Sequence, residues 1–231
     1  TGFFATTDIG NAVHVYDSAG DVVRCSIVSF VDDRNVNVFP HKTVPATLQN
    51  ISSSIWTKAV DTLIGLEHLE GQNVSVFADG FVVASPNNDS YETVAVTGGS
   101  ITLDRPYGVV HVGLPYISDI ETLNVDTAQG ETISDKKQNI SKVSLFVEET
   151  RGVWAGSTPP TNDLVDPLEG LEELKIRNNE IYDNPVELKT EVIDINIRSE
   201  WNSNGRVFVR QVDPLPLTIL SIMPTGKIPT R

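Results

Sequence analysis

Short runs of side chains that alternate apolar and polar, interrupted every few residues by turn-forming sequences, constrain this chain more than any other feature. Period-two alternation places successive side chains on opposite faces of a sheet. Runs of this kind occupy residues 12–16, 22–30, 36–39, 73–78, 93–97, 109–112, 140–148, 191–198 and 206–212, and they are rich in Val and Ile, whose branched Cβ suits a pleated surface. Turn chemistry separates them. Asp17-Ser18-Ala19-Gly20-Asp21 links the first two runs, Ala78-Asp79-Gly80-Phe81 forms a hairpin corner, and Thr97-Gly98-Gly99-Ser100 and Asn204-Gly205 supply two more reversals. Short strands with frequent turns predict an all-β chain of antiparallel sandwich-like or barrel-like modules, with long loops and little helix.

Helical periodicity is sparse. Ile55, Ala59, Leu63 and Leu66 fall on one face of a helix if residues 53–66 are wound as one, and 168–176 has room for another turn or two. Gly156-Ser157-Thr158-Pro159-Pro160 opens a polar, acidic stretch that runs to Pro185. Its prolines interrupt any ladder, so it is expected to be a long insertion or interface loop. The organisation predicted is a small β-module over 1–62, a central β-domain over 63–155, and a region over 156–231 in which the acidic loop is followed by closing strands that pack on the central domain.

Seventeen basic and 31 acidic side chains give a formal charge of −14, which repels phosphate and argues against tight DNA binding. It remains compatible with a channel wall along which a polyanion must slide. No stretch approaches the ~20 uninterrupted apolar residues of a membrane helix, and the first residues lack a basic segment followed by an apolar one. Cys25 is the sole cysteine, so no intrachain disulfide or thiolate-rich metal site can form, and its apolar neighbours Val22, Val23, Ile27 and Val28 predict a small core residue. The chain begins at Thr1 without a methionine and is expected to be part of a longer protein.

The motifs of common chemistries are missing. There is neither a P-loop nor a nucleophile elbow. His14, His41, His68 and His111 lack the helical-turn spacing of a zinc hydrolase. His68 is expected to fix a tight connection through hydrogen bonds rather than to act with Glu67 or Glu70. Acidic pairs such as Asp32-Asp33 and Glu148-Glu149 could serve a glycosidase, but 31 acids make chance pairs expected. Asp17 and Asp21 lack the further oxygen ligands of a calcium loop. Trp56, Trp154, Trp201, Tyr107, Tyr116 and Tyr182 are scattered, which favours core or interface packing over a sugar-stacking platform. No catalytic, cofactor-binding or metal-binding residue is assigned, no cofactor is expected, and the chain is expected not to be an enzyme.

One segment carries a resemblance. Gly65-Leu66-Glu67-His68-Leu69-Glu70-Gly71-Gln72-Asn73-Val74-Ser75-Val76-Phe77-Ala78-Asp79-Gly80 resembles a stretch of the tail nozzle proteins of short-tailed bacteriophages (podoviruses), also called tail tubular protein B or tail stabilisation protein. The order of later motifs is similar: Gly99-Ser100-Ile101-Thr102-Leu103, His111-Val112-Gly113-Leu114-Pro115-Tyr116, Glu121-Thr122-Leu123, Lys142-Val143, Arg151-Gly152 and Pro214-Leu215-Pro216-Leu217-Thr218-Ile219-Leu220. The likeness covers residues 63–223, and more weakly Phe3, Asp8-Ile9-Gly10 and Gly20. Lys136-Lys137 stands farther from Gly130 than the family pattern suggests, and the family's long N-terminal region is missing.

The resemblance implies the C-terminal part of a virion structural protein in the phage tail, forming a ring of identical subunits, six in number, by head-to-tail contacts that close. Implied partners are other copies of itself, the tail adaptor near the portal, the tail fibres or tailspikes, and, transiently, the exiting DNA, with no membrane span. The alternative is a non-catalytic β-module of a phage tail that binds host glycan or a partner tail protein.

Overall fold

The computed structural model describes residues 3–16, 22–49, 55–86, 92–126, 136–174, 185–198, 201–202 and 205–227. Within them the protein is all-β, with several antiparallel sheets and no helix of seven residues or more. The strands are β1 (Ala12–Tyr16), β2 (Val22–Asp32), β3 (Asn35–Pro40), β4 (Trp56–Ile64), β5 (Asn73–Ala78), β6 (Phe81–Ala84), β7 (Val94–Ala95), β8 (Ser100–Tyr107) and β9 (Val110–Gly113). They continue with β10 (Ser118–Glu121), β11 (Gln138–Thr150), β12 (Trp154–Gly156), β13 (Glu172–Glu173), β14 (Lys189–Asn196), β15 (Trp201–Asn202), β16 (Phe208–Gln211) and β17 (Ile219–Lys227).

Contacts cluster the chain into two units. The first comprises Thr1–Val83, Val94–Gly113 and Ile181–Pro185, and the second Ala84–Thr93, Leu114–Glu180 and Val186–Arg231. The boundary expected between 62 and 63 falls inside β4, which pairs with β1 on one side and β8 on the other. The boundary expected between 155 and 156 falls inside β12.

In the first unit, one sheet has the order β3-β2-β1-β4-β8. Its middle strand β1 buries Ala12, Val13 and His14 in succession, so both faces are covered. A second sheet is built on β5, flanked by β6, β7 and β9. The turn between β5 and β6 has two central residues with positive φ, Asp79 (49°) and Gly80 (85°), the pairing that matches the strands' right-handed twist. Cys25 is buried, as its neighbours suggested, and burial raises its thiol pKa.

The region expected to be helical between 53 and 66 is strand β4 where it is described. Its apolar residues obey helical spacing, but β1 and β8 offer backbone partners on both edges, and non-local pairing overrides a weak local period. The helical turns expected over 168–176 are likewise replaced, through Leu174, by turns and the short strand β13.

In the second unit, β11 is the spine of one sheet, paired with β14, β15 and β17, and β10-β16-β12-β13 forms the other. Inward positions on β11 run Gln138, Ile140, then Val143, Leu145, Val147, then Thr150. The parity changes twice, and each change coincides with a register shift in the ladder, one between Ile140 and Lys142 and one between Val147 and Thr150. One extra residue per bulge keeps the apolar side chains inward along a strand too long to stay straight. They pack with Val153, Ala155, Ile195, Val207 and Val209 in one core.

The opposite face of β12 and β16 carries Trp154 and Phe208. Leu168 and Leu171, from the stretch expected to be a long insertion or interface loop, pack against them. That part of the loop is therefore a lid on its own unit, while Leu164, at its tip, is 98% exposed.

Candidate functional site

The functional features of the first unit converge on one end of its five-stranded sheet. Antiparallel register sets His14 opposite Arg24 and Ala12 opposite Ser26, so these four residues share one face. β3 ends at Pro40, opposite Cys25, and the next residue, His41, donates its backbone N–H to the Arg24 carbonyl (2.9 Å). Arg105 and Pro106 of β8 complete the lining of a cavity of about 250 Å³. His14, Arg24, His41 and Arg105 are all basic, in a chain whose net charge is −14.

The cavity is graded from inside to outside. His14 and Arg24 are buried, Ser26 and Arg105 are half-buried, and His41 is exposed at the rim. His14 is positioned from behind by Asp79, whose carboxylate oxygen lies 3.3 Å from His14 Nδ1. Asp79 is in turn fixed by the β8–β9 corner: Gly108 and Val109 donate backbone N–H groups to its carboxylate at 2.9–3.2 Å, and its own N–H donates to the Val109 carbonyl (2.9 Å). Gly108 must be glycine here, because a Cβ would come within 2.6 Å of Thr57 Oγ1 and 3.1 Å of His14 Nδ1.

Phe81, the first residue of β6, is a shelf for both arginines. The guanidinium carbons of Arg24 and Arg105 lie 5.8 and 5.5 Å from its ring centroid, and Arg105 also lies 5.1 Å from the Tyr107 ring. Aromatic faces stabilise partly desolvated guanidinium groups and restrict their orientation.

At the rim, Ser26 Oγ lies 2.7 Å from His41 Nε2. A serine beside a histidine is the start of a nucleophilic constellation, but that chemistry also needs a group to orient the imidazole. Among the described residues no carboxylate pairs with His41, and its ring packs edge-on against Phe39 instead. Ser26 and His41 thus form a hydrogen-bonded pair at the rim of a cavity whose two guanidinium groups stack on Phe81.

Other residues singled out in the sequence lie elsewhere. His68 is exposed in a single 3-10 turn, and the connection it was expected to hold is held by Glu70. The Glu70 carboxylate accepts the N–H groups of Gly98 (3.0 Å) and Gly99 (2.6 Å) at the tip of the 97–100 hairpin, and these bonds, that to Gly99 first, lower its pKa. His111 is exposed on β9 beside Phe77. Asp32 closes the β2–β3 turn by accepting from Arg34 N and Asn35 Nδ2, and Glu149, at φ 43°, sits in the second bulge of β11. Among the described residues no three His, Cys, Asp or Glu side chains are grouped to hold a metal ion.

The aromatics divide. Trp154 and Tyr107 are buried within their own units, Trp56 packs against Phe3 and Phe4, and Trp201 and Tyr116 are exposed. Tyr182 and the 17–21 turn lie outside the described residues.

In the second unit the counterpart is structural. Arg210, 2% exposed on β16, donates through Nε and Nη2 to both oxygens of Asp119 (2.7 Å each), and through Nη1 to Asp163 (2.5 Å) and the Pro167 carbonyl (2.8 Å). One side chain thus ties β10 and the loop carrying Leu164 to β16.

No protein-family model matches the chain, and no curated protein is significantly similar to it. Among the described residues no helix is long and apolar enough to cross a membrane.

Proposed function

We propose that this chain is a structural virion protein of a short-tailed phage, part of the tail nozzle ring that seals the tail and guides DNA during ejection. The observation that carries the reading is the shared order of motifs from Gly65-Leu66-Glu67-His68-Leu69-Glu70-Gly71 to Pro214-Leu215-Pro216-Leu217. Its work is assembly: copies of the chain, six in number, close head to tail, meet the tail adaptor above and fibres or tailspikes at the side, and let DNA pass without gripping it.

Three physical properties support this reading. The all-β fold supplies rigid edges and faces for a ring. Large apolar side chains stand in solvent on both units, Ile64 at 82% and Leu164 at 98% among them, and contact with another copy would take them out of water. A charge of −14 disfavours sticking to the genome. On this reading the chain is not an enzyme.

Light scattering and negative-stain microscopy of the longer native protein test the proposal. A closed ring of identical subunits is expected. A stable monomer at micromolar concentration would favour the alternative, a tail module that binds host glycan or a partner protein, for which exposed Trp201 and Tyr116 would be the stacking residues.

A further inference from the structure

We propose that the shallow cavity framed by Ser157, Thr158, Thr161, Glu169 and Arg198 in the second unit is a saccharide subsite that takes one hexose residue through its hydroxyl groups. This goes beyond the assembly role and does not depend on it.

Three observations carry the inference. First, the cavity combines one cation, one carboxylate and three hydroxyls, and its volume of about 180 Å³ is that of roughly six waters, or of one sugar ring. Second, its polar groups have bonding capacity to spare. Among the described residues nothing pairs with the Arg198 guanidinium or with the hydroxyls of Ser157 and Thr158. Glu169 accepts the Thr161 hydroxyl and the Thr161 N–H (3.3 Å) through Oε2 alone, which leaves Oε1 open. Third, the fold places these groups before any ligand arrives. The Thr161 hydroxyl first, and its N–H second, hold the Glu169 pKa below the ordinary carboxylate value and close the loop on itself. Gly156 lets the two ends of that loop approach, since a Cβ there would come within 2.7 Å of Leu171 Cδ2 and 3.2 Å of the Gly170 carbonyl. Arg198 comes from a distant part of the chain: Ile197 is buried in the core and donates its N–H to the Ser141 carbonyl (3.2 Å), so the next side chain is turned outward onto the cavity.

The pairing of opposite charges selects the ligand class. Glu169 disfavours the phosphates and carboxylates that Arg198 alone would attract, and Arg198 disfavours ammonium and guanidinium groups. A neutral polyol suits both: one hydroxyl donates to Glu169 Oε1, its neighbour accepts from Arg198, and the Ser157 and Thr158 hydroxyls serve as donors or acceptors. Pro159 and Pro160 are the apolar part of the lining, and Thr158, Pro159 and Glu169 are exposed, so a greasy ligand gains little there and a well-hydrated one loses little.

Titration of the isotope-labelled whole chain with the methyl glycosides of glucose, galactose and mannose, followed by amide NMR, is the test, with inorganic phosphate and glycine as the anionic and zwitterionic comparisons. Saturable shifts of the Ser157, Thr158, Thr161, Gly170 and Arg198 amides with one or more of the glycosides are expected, at a Kd of about 1–10 mM. Arg198→Met and Glu169→Gln are each expected to weaken that binding about tenfold, the loss of one charge-assisted bond. Should Glu169→Gln loosen the loop, Arg198→Met still decides, because Arg198 is exposed and has no partner among the described residues to lose. No saturable shift with any of the three glycosides up to about 100 mM, saturation by phosphate or glycine but by no sugar, or sugar binding unchanged by Arg198→Met would overturn the proposal.

Discussion

Arg210 and Asp119 stand directly opposite each other on antiparallel strands β16 and β10 and form a two-bonded fork at 2.7 Å on each arm. The pair is asymmetric, because the arginine side chain is 3% exposed and the aspartate 40%. Asp119 and Asp163 hold the guanidinium firmly in its charged form, against the opposing effect of burial.

That asymmetry predicts unequal mutational costs. Asp119→Ala leaves the buried guanidinium with one carboxylate, Asp163, and the Pro167 carbonyl and is expected to destabilise by about 2–4 kcal/mol, whereas Arg210→Met leaves carboxylates that can rehydrate and is expected to cost less, about 1–2 kcal/mol. Urea unfolding of the two variants checks the order, and an equal or reversed pair of costs would contradict it.

Gly80 is constrained both by its backbone and by its surroundings. It has φ 85°, and a Cβ there would come within 2.4 Å of Pro185 Cβ. Gly80→Ala therefore meets both a strained backbone and a clash, and is expected to cost more than about 1 kcal/mol. The midpoint of chemical denaturation reads this directly.

Glu70 gives a pH dependence with a definite sign. Its folded pKa lies below the ordinary 4.5 because Gly99 N–H and Gly98 N–H favour the carboxylate. A depressed folded pKa contributes stability that is complete above the ordinary carboxylate value and disappears as pH falls through the folded value. Glu70→Gln is expected to lower Tm at pH 7, with the difference from the parent shrinking toward pH 3. A difference independent of pH would contradict the assignment.

The tip of the loop over the second unit can be altered without touching a core. Leu164 and Val165 are exposed, while the loop is anchored through Asp163 to Arg210 and through Leu168 to Trp154 and Phe208. The double variant Leu164→Ser, Val165→Ser is expected to stay within about 0.5 kcal/mol of the parent in stability. On the assembly reading it weakens self-association, measured by sedimentation velocity of the longer protein.

Much of the fold was legible in the sequence because it is local. β1 and β5 lie where period-two alternation puts them, and the 78–81 and 97–100 turns fold as their Asp-Gly and Gly-Gly pairs suggest. β4 was not legible, since Ile55, Ala59 and Leu63 fit a helical face and the strand exists through β1 and β8. The cavity was hidden for a related reason. His14, Arg24, Ser26 and His41 meet only when the β1–β2 register is known, and alternation within each run does not fix how two runs pair. Alternation alone does place Ala12 with His14 and Arg24 with Ser26, which is the signal that could have found it.

The most direct test of the account is cryo-electron microscopy of phage particles that carry this protein, with the fold docked into the tail density. The account predicts several copies, arranged around the tail axis at the nozzle, with the β5–β9 sheet recognisable in each. Particles whose tails contain no copy, or a copy only at the tip of a fibre, would contradict it.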